Sequence, residues 1–122
     1  MLKFTLLLWL LISPVQTDTT ELTDFYVQVN KTHFDGRLKH ACIHFVKGLL
    51  DERGDEARVY AENPPCYYVI EIDEIMIPLT KDSKMDVLHE TCHIAVKSGG
   101  HGPKWQACMH RLAREGAFDK LW

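Results

Sequence analysis

None of the four cysteines, Cys42, Cys66, Cys92 and Cys108, belongs to a C-x-x-C pair, so a zinc ribbon is excluded. No internal repeat and no low-complexity linker breaks the 122 residues, which leaves a single domain with one modest core. Positive charge is not in excess. A formal charge of -3 and an isoelectric point near 6.1 give no overall electrostatic footprint for nucleic acid. An apolar run long enough to span a bilayer is missing too, because the stretch from Phe4 to Ile12 falls well short of the roughly 20 residues a spanning helix needs.

That short run still asks for a reading. Met1-Leu2-Lys3, the apolar stretch and Ser13-Pro14 before Val15-Gln16-Thr17 have the layout of a secretory signal, with cleavage permitted before Asp18. No methionine occurs between Met1 and Met76, so a later start would need a different initiating codon. Residues 1–17 are therefore set apart as a hydrophobic leader and 18–122 as the domain. The even number of cysteines permits disulfides in an exported chain and leaves the compartment open.

What is present centres on His89-Glu90-Thr91-Cys92-His93, followed past Ser98-Gly99-Gly100 by His101-Gly102-Pro103-Lys104-Trp105. Histidines four apart on a helix lie one turn above each other on the same face. Both imidazoles can reach one zinc ion, with Glu90 beside them as general base toward a zinc-bound water. His101 completes three protein ligands and leaves a fourth position open, as catalytic rather than structural zinc sites do. Ser83 with Asp86 reads as a capping box that starts a helix near Lys84. Val87, Leu88, Thr91, Cys92 and Ala95 then recur at helical spacing on the buried side, and the glycines after Lys97 can supply a left-handed cap.

These residues resemble the SprT-like zinc metallopeptidases, the family that includes the Spartan-type proteases. The likeness runs through Leu88-His89-Glu90-x-x-His93, Gly100-His101-Gly102-Pro103-x-Trp105 and Met109-His110-Arg111-Leu112, with an earlier match over Asn30 to Leu38. It covers about residues 20 to 115 and implies that His89, His93 and His101 hold zinc while Glu90 acts as the general base. The sequence departs from many relatives in the short run between His93 and His101. It also carries neither their zinc ribbon nor the DNA- and partner-binding tails of Spartan, so DNA association is implied by resemblance alone.

The rest of the chain predicts the frame. Asp18 caps a helix on which Leu22, Phe25, Tyr26 and Val29 form one stripe, and Asp35-Gly36 stops it. His33 reads as a packing residue on that helix, not a ligand. Strands are expected at Ala41–Val46, Glu56–Glu62 and Tyr67–Asp73, joined by connections that suit antiparallel hairpins. The acidic residues Glu71, Asp73 and Glu74 read as an exposed strand face, not a calcium site. Pro103 opens a last helix on which Trp105, Cys108, Met109 and Leu112 face inward. Trp105 reads as an anchor for His101, and Lys104, Arg111 and Arg114 as a solvated face. Gly116 ends that helix, with Phe118, Leu121 and Trp122 folding back over the core.

The sequence thus predicts an α+β, zincin-like minimal domain: one N-terminal helix, a three-stranded and mostly antiparallel sheet, then two helices carrying the zinc site. The expected activity is zinc-dependent hydrolysis of peptide bonds in a protein substrate by a monomer without a membrane span. A cytoplasmic location is preferred, with an exported hydrolase at the cell envelope as the alternative. A zinc-stabilised binding module that does not cut its partner is the rival from another class.

Overall fold

The computed structural model describes residues 17–119 and 121, so most of the leader, and Trp122, lie outside the described residues. Helix α1 spans Thr19–Phe34. Asp18 caps it by accepting a hydrogen bond from the Glu21 backbone N–H at 2.8 Å, as the sequence predicts. Leu22, Tyr26 and Val29 are buried along its inner stripe, and Asp35 closes it in the left-handed region at φ 55°. The chain continues through β1 (Ala41–Val46), a short helix α2 (Leu49–Arg53), β2 (Ala57–Ala61) and β3 (Tyr68–Asp73). A 3-10 turn at Glu74–Met76 leads into α3 (Thr80–Val96), and α4 (Pro103–Arg114) follows. No described helix is long and apolar enough to cross a membrane.

The sheet order is β1-β3-β2, and here the expected hairpin between the first two strands is corrected. β3 pairs antiparallel with β2 but parallel with β1. Judging each connection only against the next strand misses that β1 reaches β3 through α2 and β2, a path long enough for a parallel crossover. β3 takes the centre because it is apolar on both faces, with Val69, Ile70 and Ile72 all buried. Register aligns Ile43, Ile70 and Val59 across the sheet, and Ile43 and Ile70 join the core that α1 and α3 cover with Leu22, Tyr26, Val87 and Ile94. Burying each such aliphatic side chain contributes roughly 1.5–3 kcal/mol. A second cluster, with Val29, Phe34, Leu88, Cys92, Cys108, Leu112 and Leu121, fills the space between α1, α3 and α4.

Helix α3 begins earlier than the capping pattern suggests. Ser83 is completely buried inside the helix and donates its hydroxyl to the Met76 carbonyl at 3.0 Å, so it joins the helix to the preceding turn instead of starting it. The left-handed cap at the other end is Lys97 at φ 55°, not one of the glycines that follow. Asp73 belongs to no exposed face. It is buried, and its Oδ1 and Oδ2 accept from the backbone N–H groups of Ile75 (3.0 Å) and Leu50 (2.7 Å), which anchors both the 3-10 turn and α2 on the end of β3. Those two hydrogen bonds hold its carboxyl below the usual carboxylate range.

Two disulfides pair all four cysteines. Cys42–Cys66 ties β1 to the turn ahead of β3, and Cys92–Cys108 joins α3 to α4 within the second core cluster. Thr17, the last residue of the stretch read as a leader, is buried and donates its N–H to the Ile77 carbonyl at 2.9 Å. The packed structure therefore includes it. Leu121 is buried and Phe118 half-buried against the same cluster.

Candidate metal centre

Helix α3 places His89 and His93 on adjacent turns, and the loop after Lys97 returns His101 to the same point. The three Nε2 atoms lie 3.2 Å (His93 to His89), 3.2 Å (His93 to His101) and 3.0 Å (His101 to His89) apart. Three imidazole nitrogens at one point can hold a metal ion.

Each histidine is held by a neighbour, His93 through its ring and the other two through their backbone carbonyls. The Nδ1–H of His93 donates to the Ser98 carbonyl at 2.8 Å. A carbonyl only accepts, so this contact fixes the tautomer and leaves Nε2 with its lone pair toward the centre. Trp105 donates its indole N–H to the His89 carbonyl at 3.2 Å. Its ring lies 4.5 Å from His101, 4.8 Å from His89 and 5.7 Å from His93, centroid to centroid. The anchoring role expected toward His101 thus extends to all three histidines. Gln106 donates to the His101 carbonyl at 2.8 Å and holds the loop to the first turn of α4. The Cys92–Cys108 disulfide sits one residue from His93 and joins the helix bearing two of the imidazoles to the one bearing Trp105.

Electrostatics agree with a site made for a cation. Burial depresses the His89 imidazole to about 4, with the neighbouring His93 and His101 adding to the effect. His93 is lowered as well, again chiefly by burial. Both rings are therefore neutral at pH 7 and available as lone-pair donors. Glu90 is buried, and its carboxyl is pushed up to about 7, first by burial and then by the negative charge of Asp55.

Sequence reasoning missed the acidic company Glu90 keeps. Asp86, one helical turn before it, is pushed up to about 8 by burial and by the facing Glu56, and its Oδ2 is buried without a hydrogen-bond partner. The spacing Asp86 to Glu90 at i, i+4 is the available signal, but the capping pattern assigns Asp86 to a cap that does not form. His33 stands apart from the centre and pairs through Nδ1 with Glu115 at 2.8 Å.

A cleft of about 300 Å³ opens beside His93, lined by Val59, Tyr60 and Ala61 of β2, by Tyr68, and by His93, Ile94, Lys97, Ser98 and Gly99 at and past the end of α3. Among the described residues the outer edge of β2 has no strand partner, so its backbone groups are available to a further strand. Among curated proteins and among solved structures nothing matches the chain. The model of the SprT-like family matches residues 22–119. This span takes in the helix, the sheet, all three histidines, Glu90 and both disulfides, and the chain belongs to the SprT-like family.

Proposed function

We propose that the protein is a zinc-dependent peptidase acting on protein substrates. The observation that carries this reading is the convergence of His89, His93 and His101 Nε2 within 3.0–3.2 Å, with buried Glu90 on the same helix. Zinc–nitrogen bonds of about 2.0–2.1 Å in a tetrahedron set donor nitrogens about 3.3–3.4 Å apart, within a few tenths of an ångström of the spacing here. Three imidazole nitrogens suit zinc and leave a fourth position open.

The chemistry zinc supplies at such a site is polarisation of a carbonyl and acidification of a water. The remaining roles belong to the chain. Glu90, with a carboxyl near neutrality, takes a proton from the attacking water and returns it to the leaving amine. The free edge of β2 takes an extended substrate by adding it as a further strand, which brings the scissile bond alongside His93 at the end of the cleft. Trp105 and Ser98 hold the imidazoles in place while this happens.

Removing metal tests the proposal. Dialysis against a chelator should abolish cleavage of an unfolded test protein, and one equivalent of zinc should restore it. Cleavage that persists after complete metal removal would refute the peptidase reading. A second reading concerns where the enzyme works. Structural disulfides form and persist in oxidising compartments, and the pairing of all four cysteines favours the exported alternative over the cytoplasmic one.

A further inference from the structure

A second concavity lies next to the cleft just described. It is an open groove of about 620 Å³ between the end of α3, the face of α4 that carries Lys104, Cys108 and Arg111, and the segment leading into β1. Arg37, Lys39, Lys97, Lys104, Arg111 and Arg114 line it, and no aspartate or glutamate does. Six of the 14 lysines and arginines of a chain with net charge -3 thus surround one groove. Arg111 is paired with Glu115 at 3.1 Å. Among the described residues the other five have no carboxylate partner. The sequence segment read as a solvated face supplies only half of this set; the fold adds the cations that flank β1 and cap α3.

Like charges gathered around a concavity focus a positive potential into it. The groove also adjoins the cleft beside His93, for Tyr68, Ile94 and Lys97 line both. The Glu90 end carries carboxylates instead, Asp55 and Glu56. We propose that the basic groove is the extension of the substrate cleft that receives an acidic stretch of polypeptide on one side of the scissile bond. This rests on the peptidase reading above and adds a substrate class to it: proteins carrying aspartates and glutamates beside the cleaved bond.

A nucleic acid is the other polyanion to weigh. Single-stranded binding without sequence preference relies on aromatic rings offered as stacking platforms. The aromatic residues of this groove are Phe34, which is buried and covered by the Arg111 guanidinium 4.7 Å from its ring centre, and the half-buried Tyr68. The groove floor is instead aliphatic, with Leu38, Ile94 and Val96, a surface suited to side-chain stems below their carboxylates.

The test compares two peptides that share a cleavable centre and differ in one flank, six glutamates in one and six glutamines in the other. The whole protein should bind the glutamate peptide roughly tenfold more tightly and cleave it with a correspondingly higher kcat/KM, an advantage that shrinks as salt rises. Lys104→Glu with Arg114→Glu, both exposed, should erase that advantage while the glutamine peptide is cut as before and the melting temperature holds. Equal handling of both peptides by the wild type would overturn the inference, as would an oligothymidylate that binds more tightly than the glutamate peptide and loses its affinity in the same variant. Failure of the peptidase reading looks different, because then neither peptide is cut.

Discussion

At the residue scale the histidines were the most legible part of the molecule. His89 and His93 follow from helical spacing alone, and His101 from its place just past the helix. The supports were only half legible. The Trp105 indole could be placed near His101 from sequence, but Ser98 as the acceptor that orients His93 depends on Lys97 turning left-handed at φ 55°, and nothing in a Lys-Ser-Gly-Gly run says which residue makes that turn. His101 is the test residue because it is exposed and comes from the loop. Replacing it should spare the core. His101→Ala should weaken zinc binding, read by competition with a chelating dye, by more than the ten- to hundredfold typical of losing a mere supporting partner. An unchanged affinity would remove His101 from the ligand set.

Elements were read well where one face decides and poorly where a neighbour decides. The cap at Asp18, the stripe on α1 and the strands were visible, β2 and β3 in their alternation and β1 in its apolar content. The parallel pairing of β1 with β3 was not, because strand order depends on which strand is buried on both faces. The start of α3 depends likewise on Ser83 reaching back to Met76. Asp73 is the clearest case: a carboxylate that reads as solvent-facing instead joins two elements. Asparagine at this position offers one carbonyl oxygen for two backbone donors, so Asp73→Asn should lower the melting temperature at pH 7. The folded carboxyl lies below its unfolded value of about 3.9. Its stabilisation is therefore complete above that pH and is lost as pH falls through the folded value. Wild-type melting temperature should drop more steeply than the variant's below about pH 4. Parallel curves would show that the carboxylate contributes no acid sensitivity.

For the whole molecule, composition was a misleading guide to surface charge. A net charge of -3 hides a division in which cations collect around the groove and carboxylates around Glu90, and only the fold brings Arg37 and Lys39 beside Lys104 and Arg114. The cysteines show the same limit, since their spacing excludes a ribbon but says nothing of partners 24 and 16 residues apart. If the chain matures in an oxidising compartment, intact-mass analysis of the protein from its native source should find both disulfides formed, and an N-terminus at or before Thr17, whose backbone the fold uses. Four free thiols in that protein would favour the cytoplasmic reading.

The central claim is that Glu90 moves a proton at a zinc site it does not itself build. Glu90→Gln keeps size and polarity but supplies no base. Metal content and cleavage rate, measured on the same preparations of wild type and variant, test the claim most directly. The account predicts one equivalent of zinc in both proteins and cleavage of an unfolded test protein reduced by about a hundred- to ten-thousandfold in the variant. Equal cleavage rates with equal zinc would contradict it.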